Sequence, residues 1–427
     1  MKNSKNVYIE AYGCSANVSD SELIAGMLSN DGYNIVDDVD KSDLNIIVTC
    51  TVKDATASRM KHRIKILTDV EKPLIVAGCM AKAEQEAVEK LSPSASLLGP
   101  NSLDQSLPMA SLALQGGRSV SLADSNKVKL LLPRLRKNSL VGIVEIATGC
   151  LSSCSFCQTK VAKGHLISYP VNDIVRDVTA SLNDGCKEIW LTSTDNGCYG
   201  LDIGTSLSYM VDQVCGISRD FKVRVGMMNP MYLVKNIHGL IESYQNDKVF
   251  KFLHIPVQSG SPKILRDMKR GHNLKQFIDI VHNFRAQIPD MTFSTDIIVG
   301  YPSETDEDFD KTVNLLNKIQ PDVVNISKYS SRPKTLAHEL KQLDNGVVKE
   351  RSSAIHRLTR KISLERNQRW LGWTGKIVVD EQVKNAVVGR NFAYKPIVLK
   401  EQFDVGDEVS VEIVDVTSHT LVGKISH

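Results

Sequence analysis

Long apolar runs are missing from this sequence of 427 residues, and so is the apolar core of a secretory leader. Met1-Lys-Asn-Ser-Lys leads straight into the strand-like Val7–Tyr12, and no segment is long enough to span a bilayer. The expectation is a cytoplasmic protein without membrane contact. No repeat of solenoid period and no low-complexity tract occurs, which excludes repeat arrays and disordered polar chains. The net charge is only +3, too small by itself to argue for nucleic acid. No clear acid–base constellation stands out, so a reaction built on paired proton transfer has no candidate residues.

What is present is ordinary in bulk and uneven in detail. Apolar residues make up 42% and charged residues 24% of the chain, as in globular proteins. A chain of this length exceeds one ordinary core, so about two or three domains are expected. Charge is concentrated between Lys328 and Lys376, where twelve Lys or Arg stand against four acids, a surplus of eight. Such a stretch has the composition of a polyanion contact and equally that of a solvated helix face.

Periodicity divides the chain into three blocks. Over 1–125, apolar runs at Val7–Tyr12, Leu44–Thr49, Pro73–Ala77 and Ser96–Leu98 alternate with amphipathic stretches near 20–31, 54–70, 81–91 and 103–114. That pattern predicts an α/β domain, a parallel sheet wound on both sides. The polar Asp124-Ser-Asn-Lys-Val-Lys reads as a linker. Over 139–365, candidate strands at Val141–Ala147, Glu188–Thr192, Val223–Met227, Phe252–Ile255, Thr292–Val299 and Val323–Ser327 alternate with helices. This predicts an open or closed βα barrel, with its chemistry at the C-terminal strand ends. Over 368–427, short strands broken by Gly, Asn and Asp predict a small OB-like β-barrel.

Nine cysteines in a reducing compartment point to metal ligation or catalysis rather than disulfides. Cys150, Cys154 and Cys157 form a Cys-x3-Cys-x2-Cys run directly after an apolar strand. Three thiolates so close can hold three irons of a 4Fe–4S cube and leave the fourth open. A structural zinc site would need a fourth ligand, and the nearest candidate, His165, lies eight residues beyond Cys157. An open iron can chelate the amino and carboxylate groups of S-adenosylmethionine, and an electron from the cluster then cleaves the sulfonium to a 5′-deoxyadenosyl radical. This motif, with Phe156 in the penultimate place, resembles the radical S-adenosylmethionine superfamily, in which that aromatic packs near the adenine.

Cys14, Cys50 and Cys79 are far apart in number, but each falls at or just after the C-terminal end of a predicted strand. In a doubly wound sheet these ends lie side by side where ligands bind. Geometry alone leaves two readings, a second three-cysteine cluster or three buried apolar thiols. Their surroundings, Tyr12-Gly-Cys-Ser-Ala-Asn17, Thr49-Cys-Thr-Val-Lys53 and Val76-Ala-Gly-Cys-Met80, resemble the N-terminal domain of the methylthiotransferase family. That resemblance covers nearly the whole chain and implies a second 4Fe–4S cluster on these three residues, concerned with the inserted sulfur.

The same resemblance implies further roles. Asp195, in Thr192-Ser-Thr-Asp195-Asn-Gly-Cys-Tyr-Gly200, would reach substrate or cofactor at the barrel mouth, against the alternative of a loop cap. Gln258, Ser259 and Gly260 match a Pro-x-Gln-Ser-Gly signature, and Gly300 and Pro302 match the segment lying along the adenine. The segments around Met228-Asn-Pro230 and Met268-Lys-Arg270 also match, without evident chemistry. Cys198 reads as packing, and Cys186 and Cys215 receive no role. Arg390, Tyr394 and Lys395 lie in a tail resembling the tRNA-gripping TRAM domain and combine an aromatic face with cations, as nucleic-acid binding requires. Three stretches depart from the family pattern: Lys163-Gly-His-Leu, Asn196-Gly-Cys and Arg332-Pro-Lys-Thr-Leu336.

The phrases Thr49–Lys53, Gly226–Pro230 and Lys269-Arg-Gly look most like the archaeal and eukaryotic branch. That branch implies methylthiolation at C2 of N6-threonylcarbamoyladenosine beside the anticodon of tRNA, with two 4Fe–4S clusters, S-adenosylmethionine as methyl donor and radical source, and an electron donor of unspecified identity. The alternatives are isopentenyladenosine in tRNA, an aspartate of a ribosomal protein, or a non-catalytic iron–sulfur RNA-binding protein.

Overall fold

The computed structural model describes residues 5–51, 54–125 and 127–426. Val52 and Lys53 of the Thr49–Lys53 phrase, Asn126 of the linker, the first four residues and His427 lie outside these ranges. No helix among the described residues is long and apolar enough to cross a membrane.

The first sheet contains β1 (Asn6–Ala11), β2 (Asn34–Val36), β3 (Leu44–Thr49), β4 (Leu74–Gly78), β5 (Ser96–Leu98) and β6 (Val120–Ser121). All its pairings are parallel, in the order β2-β1-β3-β4-β5-β6. β3 and β4 are buried along their whole length, as expected where helices cover both faces. Side chains alternate between those faces: Ile46 and Val48 join Leu23, Ile24 and Leu28 on one side, while Ile47 joins Met60, Ile64 and Leu67 on the other. The strand order reverses between β1 and β3, the crevice where such sheets bind ligands.

Two strands that periodicity misses, β2 and β6, stand at the sheet's edges; with three and two residues they are too short to show alternation. The first helix also begins earlier than its apolar pattern suggests, at Ser15. Its polar first turns are buried because they face the central domain: the Ser19 hydroxyl reaches the Ile143 carbonyl at 3.4 Å.

The central block holds β7 (Val141–Glu145), a short antiparallel pair β8 (Ala147–Thr148) and β9 (Ile167–Ser168), then β10 (Glu188–Thr192), β11 (Lys222–Val225), β12 (Phe252–His254), β13 (Thr292–Val299) and β14 (Val323–Lys328). Two parallel arcs, β7-β10-β11 and β12-β13-β14, meet where Val223 bridges Val249, forming an open six-stranded barrel. Val144, Ile189, Leu191, Val225, Leu253 and Ile297 lie in its core. The last strands, β15 (Thr374–Val383), β16 (Ala386–Arg390), β17 (Pro396–Leu399), β18 (Glu408–Val416) and β19 (Leu421–Ile425), close into a small barrel in the order β15-β16-β17-β19-β18. Register shifts at Val379/Glu381 and Ile413/Asp415 supply the bends that closure needs.

Charges removed from water join the first sheet to the central barrel. Lys129 bridges Asp20 of the first helix (2.9 Å) and Glu145 of β7 (3.0 Å), and Lys163 meets Glu145 at 2.9 Å. None of these side chains is more than 6% exposed. Burial alone would raise the Glu145 carboxyl, but Lys129 and Lys163 overcome it and hold the group at about 2.

At the other end, Tyr394 of the small barrel sits among Phe250, Phe252 and Trp190 of the central one, with ring centroids 4.9, 5.2 and 6.3 Å away. Arg224 and Arg390 lie over its ring. Nearby, fully buried Asp322 faces Arg369 (2.9 Å), Arg366 (3.4 Å), Lys395 (3.8 Å) and Arg285 (3.9 Å).

Three outcomes follow, two from these seams and one from an exposed pair. Glu145→Ala leaves two buried ammoniums without their shared carboxylate and is expected to cost about 3–5 kcal/mol in chemical denaturation. Lys275→Ala, which breaks an exposed pair with Asp279, should stay within about 0.5 kcal/mol. Glu188, beneath the Tyr394 seam, has its carboxyl pushed up to about 7 by burial and then by Asp380. The folded state therefore binds its proton more tightly than the unfolded chain, and this stabilisation is lost as pH rises from about 4.5 through about 7. Glu188→Gln should match the wild type in thermal midpoint near pH 4.5 and exceed it at pH 8.

Candidate active site

The first cysteine trio is assembled by three neighbouring strands. Cys14 caps the helix that follows β1, Cys50 follows β3, and Cys79 opens the short helix after β4. Registers Ala11↔Val48 and Thr49↔Gly78 bring these ends level. Gly13, at φ +115°, lets the first turn close onto Cys50; a Cβ there would overlap the Cys50 side chain. Asn17 ties the turn together, donating to the carbonyls of Tyr12 and Thr49 at 2.8 Å and accepting from the Cys14 thiol at 3.7 Å. Cys50 and Cys79 are buried and Cys14 is exposed. Burial pushes the Cys79 thiol up, Lys163 opposes that shift, and Cys50 and Cys14 add to it.

The second trio occupies the loop after β8. Gly149 (φ +69°) turns the chain where a Cβ would overlap the His165 carbonyl oxygen. The Cys157 N–H donates to the Cys154 carbonyl at 3.1 Å, and the Ser152 N–H lies 3.3 Å from the Cys150 sulfur. Burial raises the Cys157 thiol, and Cys154 and Cys150 raise it further. Arg270 donates to the Cys154 sulfur at 3.3 Å and is itself held by the Pro256 carbonyl (2.9 Å) and Asn229 (3.1 Å). Asn229 also donates to the Ser152 hydroxyl at 3.1 Å. The roles of Arg270 and Asn229 are invisible in their residue types, because only the fold brings them onto the cysteine loop.

Asp195 is buried at the end of β10. Its carboxylate accepts from the backbone N–H of Asn229 (2.9 Å) and Gly197 (3.0 Å), and its other oxygen lies 3.8 Å from the Cys150 sulfur. Burial and Cys150 push this carboxyl up to about 7. Cys198 packs in the core with its sulfur 3.2 Å from the Asp195 carbonyl. A hydrogen bond from Cys198 lowers the Cys150 thiol to about 6.

The two trios are neighbours. The helix that begins at Cys79 packs on the helix Gln158–Lys163, which follows Cys157, through Ala83, Val161 and Ala162. Thr51, next to Cys50, lines the same cavity as Phe156 and Cys157. That cavity measures about 1050 Å³ and is walled by Gln258, Asp296, Gly300, β14 and the start of the helix Asn345–Gln368. Gln258 stands at φ +77° with a buried side-chain oxygen that has no partner among the described residues. Ser259 and Gly260 turn the other way, onto the helix Asp306–Ile319: Ser259 meets the Thr312 hydroxyl at 3.3 Å, and a Cβ at Gly260 would strike that helix's backbone. Pro302 follows buried Tyr301, outside the cavity wall. Arg390, Tyr394 and Lys395 lie at the seam with the central barrel, where Asp380, the aromatic cluster and Asn367 engage them.

Both donor sets consist of thiols, ligands that zinc and iron–sulfur clusters both take. Among the described residues, the group of three metal-binding side chains with ligand atoms mutually within 4.8 Å is Cys150, Asp195 and Cys198. Each proposed trio is therefore spread more widely, whereas thiolates on one tetrahedral zinc would stand about 3.8 Å apart. Soft thiolates set further apart suit an iron–sulfur cube.

Residues 6–99 match the family described as "Uncharacterized protein family UPF0004", and residues 144–316 match the radical SAM superfamily. A Pyrococcus abyssi protein named "Probable threonylcarbamoyladenosine tRNA methylthiotransferase" is 41% identical, covering 98% of this chain and 99% of its own. A Xenopus laevis protein named "Threonylcarbamoyladenosine tRNA methylthiotransferase" is 33% identical over 99% of this chain and 77% of its own. The fold resembles the radical S-adenosylmethionine methyltransferase TsrM from Kitasatospora setae (TM-score 0.59, 12% identity, 78% of this chain and 77% of that one). It also resembles the cobalamin-dependent radical enzyme OxsB (TM-score 0.55, 12% identity, 83% and 56%). Likeness to the first two relatives over nearly the whole chain settles the classification: this chain belongs to the threonylcarbamoyladenosine tRNA methylthiotransferase family of radical S-adenosylmethionine enzymes.

Proposed function

We propose that this chain methylthiolates C2 of N6-threonylcarbamoyladenosine beside the anticodon of tRNA in the cytoplasm. The observation that carries this reading is one cavity lined both by Cys157 of the second trio and by Thr51, the chain neighbour of Cys50 in the first. Cys150, Cys154 and Cys157 would hold one 4Fe–4S cluster, and Cys14, Cys50 and Cys79 a second. Bound there with S-adenosylmethionine, these groups supply the electron, the methyl group and the sulfur chemistry, the electron coming from an external donor.

The chain's own residues position and insulate. Arg270 sets its guanidinium against the Cys154 sulfur, a fixed positive charge beside one of the three residues that would hold the cluster. Ser152, Asn229 and Arg270 form one hydrogen-bonded set that keeps the loop in shape. Phe156 and Gly300 offer an apolar wall for an adenine, and the unpartnered Gln258 oxygen can accept from an N–H of a ligand in the cavity. The RNA contact falls to the helix Asn345–Gln368, where Arg357, Arg360 and Lys361 are exposed. Arg351 and Arg366 of the same helix are committed to Glu304, Asp306 and Asp322.

Anaerobic reconstitution should give about eight irons per chain, falling to about four in Cys50→Ser and in Cys154→Ser alike. Four irons in the wild type would remove the second cluster. In tRNA from a deletion strain, mass spectrometry of nucleosides should find threonylcarbamoyladenosine without its methylthio derivative, restored by the wild-type gene but by neither variant. Persistence of the methylthio nucleoside in that strain rules out this substrate.

A further inference from the structure

Three cations line the large cavity: Lys328 at the end of β14, Arg332 just beyond it, and Lys349 in the first turns of the helix Asn345–Gln368. One carboxylate, Asp296, lines it with them. Its Oδ1 is already shared by His254 and Asn325, each at 2.8 Å. Arg332 reaches back to Glu84 of the first domain at 3.9 Å. Lys328 and Lys349 differ: among the described residues neither ammonium has a carboxylate within ion-pair distance. A concave wall with surplus positive charge focuses potential on whatever enters it and selects an anion.

We propose that Lys328 and Lys349 form a carboxylate subsite that reads the amino-acid end of the N6 substituent on the target adenosine. This rests on the substrate reading above and deepens it. An N6-threonylcarbamoyl group differs from plain adenosine, and from an apolar N6 substituent, in ending in a free carboxylate. Both lysines share the wall of the cavity that holds Cys157 and Gln258, so a base placed before the cysteine loop can extend its substituent toward them. Arg357, Arg360 and Lys361 lie further along the helix, outside the cavity lining, which suits backbone phosphates rather than a group on the base. Ser327 and Asn325 of β14 line the same wall and offer hydrogen bonds to a hydroxyl or carbamoyl group.

The test uses cluster-loaded enzyme with S-adenosylmethionine and two forms of one tRNA, bearing either threonylcarbamoyladenosine or unmodified adenosine at the target position. The double variant Lys328→Met with Lys349→Met should weaken binding of the threonylcarbamoylated tRNA about tenfold or more and leave the adenosine form unchanged. The double Arg variant should keep the preference. Equal weakening for both tRNAs would mean that the lysines hold phosphate and would overturn the inference, as would no change for either. The substrate reading fails separately, if wild-type enzyme converts no threonylcarbamoyladenosine at all.

Discussion

Four buried charges between the first sheet and the central barrel set how the two cysteine trios face one another. Asp20 comes from the helix that Cys14 caps, and Lys163 ends the helix that follows Cys157. Lys129 and Glu145 connect them. Because a half-satisfied buried ion costs several kcal/mol, such a network tolerates little sliding. It works as a register device, holding two cysteine trios contributed by different parts of the chain at a constant separation. The packing of Cys79 and Ala83 on Ala162 adds contact where the charges add direction.

The rest of the site follows from strand ends. Three parallel strands of one sheet deliver three thiols, and the first strand of the neighbouring barrel delivers the loop with the other three. The cavity lined by Cys157 and Thr51 is walled also by β14 and the long helix, elements outside both cysteine regions. Chemistry and selection thus draw on different elements around one cavity.

Much of this was legible because the signals were local. The spacing of Cys150, Cys154 and Cys157 needs one loop, and buried runs such as Ile46–Val48 and Ile75–Ala77 announce parallel strands on their own. Cys14, Cys50 and Cys79 became a set only once each was placed at a strand end. Partners drawn from distant elements stayed hidden: Arg270 and Asn229 carry no local mark of the cysteine loop, and Lys129 reads as part of a polar linker. Arg390, Tyr394 and Lys395 show the opposite limit. An aromatic ring among cations has the same composition in a seam as on an RNA-binding face, and only the packing of Tyr394 against Phe250 and Phe252 distinguishes them. Ser259 and Gly260 likewise belong to a signature, yet they serve the packing of the helix Asp306–Ile319.

The exposure of Cys14, beside two buried partners, gives the first trio a weak point. Oxidants attack accessible sulfur first, so ageing of the protein in air should start there and leave Cys50 and Cys79 intact for longer. In the proposed cluster the loss of one ligand in three would open the site, so its weak point would be this solvent-facing turn.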